Sequence, residues 1–196
     1  MRRAPAPALL VAALLTLPAC GPKAITVGSR PFPAARPVFT DLSGTARADL
    51  PEAREPARLV LLDFPWCPAC EDAWKALRAA SAQLPPGSAR VYRVLFDRET
   101  GFTSEGKREA APLRSPSLAE SENPVSAGGI AVTSLTALPG PFGEEFRATQ
   151  VPVLLLLEPD GTVARRWIGY SSGMAAEVAT EVRKRARPPS PLPPGK

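Results

Sequence analysis

The distribution of proline is the feature that most constrains what this chain can fold into. Of 25 prolines in 196 residues, only six lie in the two stretches 57–100 and 151–187. Because proline interrupts helices and central strands, these two stretches are where we expect the packed core. The hydrophobic share of 44% is ordinary for a globular protein. Together these features exclude a collagen-like fibre, a wholly disordered chain and a multidomain enzyme.

Residues 1–19 have the features of a secretory signal peptide. Two arginines precede an apolar run over residues 8–17, which is too short to cross a bilayer. The segment Leu-Pro-Ala-Cys-Gly that follows (residues 17–21) resembles the lipobox of bacterial lipoproteins. We therefore expect Cys20 to carry lipids that anchor the exported protein to a bilayer, facing the periplasm or the cell surface. The alternative is an ordinary signal peptide cut elsewhere, which would leave Cys20 as a free thiol.

Two Pro-rich segments are predicted to lie outside the folded domain, which we place at residues 38–187. Residues 20–37 are predicted to be a lipidated cysteine and an extended linker, and residues 188–196 a disordered tail. The net charge of +5 comes from the leader and from residues 181–196, which leaves the region between them close to neutral. No basic face is therefore expected, and nucleic acid is not a predicted partner.

Hydrophobic patterning predicts the secondary structure of the domain. Strands are predicted over residues 38–42, 58–64, 90–96, 153–157 and 162–168, and helices over residues 68–84 and 173–187. The turn Glu158-Pro159-Asp160-Gly161 joins the last two strands into a hairpin. This order of elements predicts an α/β fold with a mixed central sheet and helices on both faces.

A long insertion is predicted over about residues 98–141. This stretch is rich in Gly, Pro, Ser and Glu, and within it residues 130–133 could form a short strand. Loops of this length are usually functional or disordered. A partner-recognition lobe and a mobile surface insertion are the two alternatives.

The chemistry is expected at the segment Trp66-Cys67-Pro68-Ala69-Cys70. Two cysteines separated by two residues, between a buried strand and a helix, can form a dithiol–disulfide pair. In the first helical turn Cys67 would face the positive end of the helix dipole, which favours its thiolate and makes it the attacking sulfur. Cys70, one turn further, is expected to be the more buried, resolving thiol. Pro68 suits the first helical position because its missing N–H is not needed there.

Three other interpretations of this cysteine pair are possible, and one of them, two unpaired cysteines in the core, does not explain so specific a segment as Trp-Cys-Pro. A zinc site normally needs four protein ligands, or three plus water, but the chain has no His and its third cysteine is expected to carry lipid. A purely structural disulfide would close so short a loop that it would remove little entropy from the unfolded chain. We therefore predict a redox pair, with no metal and no organic cofactor.

These motifs resemble the thioredoxin superfamily over about residues 38–187. The resemblance rests on the cysteine segment after a buried strand and on residues 142–170, in which Phe-Gly-Glu-Glu-Phe-Arg-Ala-Thr-Gln-Val-Pro precedes a strand, a turn and a second strand. It implies a thioredoxin-like fold in which Pro152 follows a cis peptide bond and lies against the active-site disulfide. The backbone of Val151 would pair with an incoming peptide. Trp66 and Pro68 are assigned with these two residues to substrate binding.

Acidic residues near the cysteines have alternative roles. Thioredoxins keep a buried Asp on the strand before the cysteines, and it assists proton transfer to the resolving thiol. Asp63 is the nearest acid before the pair, although its connection to Cys67 is shorter than in thioredoxin. A proton-transfer group and a solvated strand end are both open readings for Asp63. Glu71 and Asp72 are read as ordinary acids of a first helical turn.

With its leader, the chain resembles membrane-anchored, periplasm-facing thioredoxin-like proteins. The resemblance implies a thiol–disulfide oxidoreductase that reduces or exchanges disulfides in extracytoplasmic proteins and is served by a membrane redox donor. The residues between the cysteines are Pro and Ala rather than a pair with His, which favours the reductase direction. The alternative is a non-catalytic lipoprotein of the same fold that holds peptides in the groove at Pro152.

Overall fold

The computed structural model of the protein describes residues 23–64, 66–96, 129–147 and 151–186. The predicted signal peptide, Cys20, most of the predicted insertion and the predicted tail lie outside the described residues. Nine strands are assigned in that part of the chain: β1 (Lys23–Ala24), β2 (Phe39–Thr40), β3 (Ala46–Arg47), β4 (Ala57–Asp63), β5 (Ala89–Leu95), β6 (Ile130–Ala137), β7 (Phe146–Arg147), β8 (Val153–Leu157) and β9 (Val163–Ile168). Three helices accompany them: α1 (Pro68–Ser81), α2 (Pro139–Glu145) and α3 (Met174–Ala186).

Seven of these strands form one mixed sheet in the order β3-β2-β6-β5-β4-β8-β9. The strands β4, β5 and β6 run parallel, whereas β8 is antiparallel to both β4 and β9. The apolar strands β4 and β8 pair with each other inside the sheet, and both of their faces are covered. The predicted hairpin of β8 and β9 is confirmed, and β2 and β3 form a second hairpin.

The two faces of the sheet are covered by different parts of the chain. Leu59 and Leu61 of β4 pack in a core cluster with the buried residues of α1 and α3. Val60 and Leu62 point to the other face, where they join a cluster that contains residues of α2 and of the chain before β4. The period-two alternation of β4 thus supplies both cores at once. The prediction of helices on both faces is confirmed.

Aromatic side chains dominate the core on the α2 face. Six of the seven phenylalanines of the chain are buried there, with ring centroids of neighbouring pairs 4.5–6.0 Å apart. They are Phe32, Phe39, Phe64, Phe96, Phe142 and Phe146. Offset and edge-on aromatic pairs stabilise a core beyond the area that they bury. This cluster therefore fastens α2 and the chain before β4 to the sheet.

The prediction of an extended linker over residues 20–37 is wrong for residues 23–37, because these residues pack against the domain. We call this segment the N-terminal strap. Its strand β1 pairs with β7, and its side chains Ile25 and Phe32 are buried at 5% and 4% exposure. The many prolines of the strap indicated an extended spacer, but an extended segment can still bury apolar side chains on a neighbouring surface. Its path is set by tertiary contacts that local periodicity does not encode.

The middle of the strap, at residues 28–30, contacts β9 and the turn before it. The Gly28 N–H donates to the Val163 carbonyl over 2.8 Å, and the Val163 N–H donates to the Ser29 carbonyl over 2.9 Å. Arg30 forms an ion pair with Asp160. Hydrogen bonds from Thr162, with the contribution of Arg30, lower the pKa of Asp160 to about 2. The strap thus contacts the domain at its start and again at its middle.

The predicted insertion extends too far, because residues 130–141 belong to regular elements. β6 is an eight-residue strand inside the sheet, parallel to β5 and antiparallel to β2. Its sequence Ile-Ala-Val-Thr-Ser-Leu-Thr-Ala is not a continuous apolar run, so patterning predicted only a short strand. The short helix α2 begins with Pro-Gly-Pro, and buried Phe142 holds it against the core. Both elements depend on their neighbours more than on local preference.

Substitution of Ile25 by Ala tests whether the strap is part of the folded domain. We expect Ile25→Ala to lower the free energy of unfolding by about 2–4 kcal/mol, because it leaves a cavity in the core. The matched control is Val27→Ala on the same strap, where Val27 is 62% exposed and the expected loss is below about 0.5 kcal/mol. Urea unfolding followed by tryptophan fluorescence measures both values. Equal, small effects of the two substitutions would contradict a packed strap.

Candidate active site

The turn between β4 and α1 places Cys67 at the start of the helix. The chain leaves the sheet at Phe64, whose carbonyl accepts a 2.9 Å hydrogen bond from the Cys67 N–H. Cys67 is the N-cap of α1, and its Sγ accepts the Cys70 N–H over 3.2 Å. Pro68 occupies the first turn, where no N–H is required. The Cys67 sulfur therefore lies among the unpaired backbone donors of a helix N-terminus.

The two cysteines differ sharply in exposure. Both are free thiols; Cys67 is partly exposed, whereas Cys70 is fully buried at 0% exposure. Burial raises the pKa of the Cys70 thiol well above its usual range, and the neighbouring sulfur of Cys67 adds to this effect. The charge of Asp63 raises it further. One sulfur is thus open to a reactant, and the other is held protonated one turn inside the helix.

An exposed tryptophan stands beside Cys67. Trp66 is 50% exposed, and its ring lies edge-on to Phe64 with centroids 5.2 Å apart. Phe64 in turn stacks on Phe96 at 4.5 Å. Pro68, on the other side of Cys67, is also exposed. The exposed sulfur is therefore flanked by two apolar side chains, one of which rests on the aromatic core.

The segment before β8 lies against the same core as the cysteines. The peptide bond between Val151 and Pro152 is cis, as the resemblance implied. Pro152 is buried, and its carbonyl accepts a 2.8 Å hydrogen bond from the Gly169 N–H. The core cluster that contains Cys70 is also contacted by Cys67 and by partly exposed Val151. The two segments that the sequence placed at the site therefore pack against the same core cluster.

Asp63 is buried, so the interpretation of this residue as a solvated strand end is wrong. Its side chain is 3% exposed, and it accepts a hydrogen bond from Arg93 Nε over 2.5 Å in an ion pair. The Arg93 guanidinium lies 4.6 Å from the centre of the Trp74 ring on α1. Arg93 thus links the end of β4 to α1. Neither Arg93 nor Trp74 was predicted at this site, because parallel pairing of β4 with β5 brings Arg93 to Asp63 and the packing of α1 brings Trp74 to Arg93.

The acids of the first turn of α1 lie on the surface. Lys75 forms ion pairs with Glu71 at 2.9 Å and with Asp72 at 3.4 Å, and all three side chains are about half exposed or more. Pairs of this kind contribute little to stability. These contacts match the reading of Glu71 and Asp72 as ordinary helix acids.

Two kinds of feature are absent from the described ranges. Among residues 23–64, 66–96, 129–147 and 151–186, no three His, Cys, Asp or Glu side chains are grouped so that they could hold a metal ion. None of the helices in those ranges is long and apolar enough to cross a membrane.

Known proteins resemble this chain in structure rather than in sequence. Comparison with protein-family models found no match, and comparison with curated proteins found none either. A protein assigned as a thiol:disulfide interchange protein DsbE, from Chlorobium tepidum, is 12% identical, with a TM-score of 0.53 over 83% of this chain and 99% of that one. An uncharacterized thioredoxin-like protein from Porphyromonas gingivalis is 13% identical, with a TM-score of 0.52 over 78% of this chain and 91% of that one. A thioredoxin-like protein from Aeropyrum pernix is 11% identical, with a TM-score of 0.51 over 75% of this chain and 89% of that one.

At these identities, what the chain shares with those proteins is the fold. The mixed sheet, the helix that begins after Cys67 and the hairpin that follows Pro152 together form a thioredoxin-like fold. The predicted fold class is confirmed, as is the resemblance to the thioredoxin superfamily at the level of architecture.

The difference between the two thiols predicts different alkylation behaviour. In the reduced protein at pH 7.5 we expect iodoacetamide to modify Cys67 much faster than Cys70, because Cys70 is buried and its pKa is raised. Since a raised pKa delays thiolate formation, labelling of Cys70 should keep increasing with pH beyond the ordinary thiol range of about 8.5. Mass spectrometry of Cys67→Ser and Cys70→Ser measures each thiol alone. Faster labelling of Cys70 would contradict the assignment.

The ion pair between Asp63 and Arg93 predicts how substitutions at these two residues change the free energy of unfolding. We expect Arg93→Met to lower the free energy of unfolding by about 3 kcal/mol, because it leaves the buried carboxylate of Asp63 unpaired. Adding Asp63→Asn should restore most of this loss, since the remaining amide carries no charge. Urea unfolding of the two single variants and the double variant gives the coupling. Additive losses in the double variant would show that the two side chains do not interact.

Proposed function

We propose that the protein is a thiol–disulfide oxidoreductase whose redox pair is Cys67 and Cys70. The observation that supports this most is the position of Cys67: a partly exposed sulfur at a helix N-terminus that accepts the N–H of Cys70, one turn before a fully buried thiol. At that position the sulfur lies among backbone donors that no helical carbonyl uses. The thioredoxin-like proteins with the same fold support the same class of activity.

The proposed exchange has two steps. The Cys67 thiolate attacks one sulfur of a substrate disulfide, which forms a mixed disulfide and releases the other substrate sulfur as a thiolate. The Cys70 thiolate then attacks the Cys67 sulfur, which forms the Cys67–Cys70 disulfide and releases the second substrate thiolate. Two electrons pass from the protein dithiol to the substrate, and the two released thiolates take up protons.

The cycle closes when a dithiol donor reduces the Cys67–Cys70 disulfide by the reverse exchange. We propose a membrane redox donor of this chemical class, with disulfides of extracytoplasmic proteins as substrates. The reductase direction is favoured because neither Pro68 nor Ala69 adds a positive charge that would stabilise the reduced form as a thiolate.

Asp63 is the proposed acceptor of the Cys70 proton. A buried thiol with a raised pKa must lose its proton before it can attack, and the charge of Asp63 already acts on Cys70. The ion pair with Arg93 and the contact of Arg93 with Trp74 hold this carboxylate in a fixed position relative to α1. In this proposal Arg93 is a positioning residue, which acts on the cysteines through Asp63.

Substrate binding is proposed at the surface around Cys67. Trp66 and Pro68, which precede and follow Cys67 in the chain, present exposed apolar area, and the backbone of Val151, which precedes buried Pro152, is available on the other segment. An extended substrate peptide could pair with that backbone while its disulfide reaches Cys67. We further propose that Cys20 is lipidated and anchors the exported protein to the bilayer.

Disulfide reduction and trapping test this function. We expect the full-length protein to accelerate insulin reduction by dithiothreitol and Cys67→Ser to abolish the acceleration, because the attacking sulfur is lost. Cys70→Ala should accumulate mixed disulfides with a substrate peptide, because the sulfur that releases them is missing, whereas Cys67→Ala should trap few. The control is Ser43→Ala in the β2–β3 hairpin, which should behave as wild type. Equal activity of wild type and Cys67→Ser would favour a non-catalytic peptide-binding protein.

A further inference from the structure

We infer that the N-terminal strap holds the redox site close to the bilayer, so that the protein acts on disulfides displayed at the membrane surface. The inference rests on the proposed lipidation of Cys20. Because the strap packs on the domain, the chain between Cys20 and the domain is short instead of long and flexible. The partner that fits this arrangement is a membrane-bound or membrane-surface protein with an accessible disulfide.

The strap is attached to the domain from its first described residue. Lys23 is the register partner of Phe146 in β7, and Ala24 is the partner of Arg147. Ile25 enters the core directly after this pairing. The folded domain therefore begins three residues after Cys20 in the sequence.

Those three residues fix how far the domain can stand from its anchor. An extended chain spans at most about 3.6 Å per residue, so Lys23 lies within about 11 Å of Cys20. A free spacer over residues 21–37 would instead reach about 50 Å in an extended conformation, at about 3.1 Å per residue. Packing of the strap thus shortens the attachment by several-fold.

The pairing of β1 with β7 also limits the distance between Cys20 and Val151, whose backbone is proposed to bind substrate. Phe146, the partner of Lys23, precedes Val151 by five residues, which span at most about 18 Å. Paired strands lie about 4.8 Å apart, so the path from Cys20 through Lys23 and Phe146 to Val151 is at most about 34 Å. Whatever the course of the residues in between, the segment that would hold a substrate cannot be far from the anchor.

The contacts with β9 keep the strap on the domain. Gly28 and Ser29 share backbone hydrogen bonds with Val163, and Arg30 is paired with Asp160. These contacts oppose detachment of the strap, which would lengthen the connection to Cys20. The short connection holds the site near the surface, which raises its effective concentration toward disulfides in the same layer.

A linker insertion tests this inference with lipidated, full-length protein in phosphatidylcholine vesicles. One variant carries a 16-residue Gly-Ser insert between Gly21 and Pro22, which leaves the strap sequence intact. The matched control carries the same insert after Pro188, in the predicted tail. The substrate is a disulfide peptide bound to the same vesicles by a ten-residue lipid tether, which extends over a distance similar to the reach of the site. The same peptide without lipid reports activity in solution.

We expect the insert after Gly21 to slow reduction of the tethered peptide by about threefold, because effective concentration falls with the length of the connection. Reduction of the free peptide should be unchanged, and the insert after Pro188 should change neither rate. In Cys70→Ala background, energy transfer from a dye on Cys67 to labelled lipid headgroups should fall only with the insert after Gly21. Unchanged transfer and unchanged rates with that insert would overturn the inference.

Failure of the proposed activity and failure of the proposed lipid anchor would each give a different experimental result. If wild type reduces neither peptide, the proposed oxidoreductase activity is wrong, while the energy transfer still reports the position of the domain. If Cys20→Ala binds vesicles and reduces the tethered peptide as wild type does, the lipid anchor is wrong and the inference falls with it. Vesicle flotation of each variant separates loss of anchoring from loss of the short attachment.

Discussion

The central strand β4 is the constraint on which the rest of the structure depends. It pairs with β5 on one side and with β8 on the other, and its alternating side chains enter both cores. A strand covered on both faces cannot shift its register by one residue without exchanging the two cores. The point at which β4 leaves the sheet, at Asp63 and Phe64, is therefore fixed, and the turn that follows delivers Cys67 to the helix N-terminus.

Because β4 leaves the sheet at a fixed point, the thiols of Cys67 and Cys70 have different surroundings. Cys67 caps α1 at the surface, whereas Cys70 is carried into the core on the α2 face. One sulfur accepts a backbone N–H at the helix N-terminus, and burial of the other raises its pKa. The ion pair of Asp63 with Arg93 lies at the end of the same strand, so that its charge acts on Cys70 from a position set by the sheet. The same packing that stabilises the fold thus makes the cysteine pair asymmetric.

The aromatic core on the α2 face connects the N-terminal strap with the candidate site. Phe32 of the strap packs against Phe39 and Phe146, and the contacts continue through Phe142 and Phe96. The series then reaches Phe64 and exposed Trp66 beside Cys67. Because the interior is close-packed, loss of the strap would leave a cavity in the layer on which the site rests. The strap is therefore part of the support of the site and not an appendage.

Elements with strong local signals were predictable from the sequence alone. The apolar runs of β4 and β8, the Pro-Asp-Gly turn and the helix after Cys67 each carry their information in neighbouring residues, so the fold class and the cysteine pair could be derived. Pro152 and its cis peptide bond followed from the family resemblance rather than from periodicity. The position of Asp63 on the strand was visible, but its burial was not.

Tertiary structure decided what depends on partners distant in sequence. The strap has few local preferences because its prolines suit an extended chain, and only β7, β9 and the aromatic core determine where it lies. β6 has a mixed sequence, and its place inside the sheet depends on hydrogen bonds from both neighbours. Arg93 reaches Asp63 only because parallel pairing aligns two strands separated by a helix. The sequence alone determined where a redox pair could form, and long-range packing decided what surrounds it, because burial and ion pairing are properties of the assembled core.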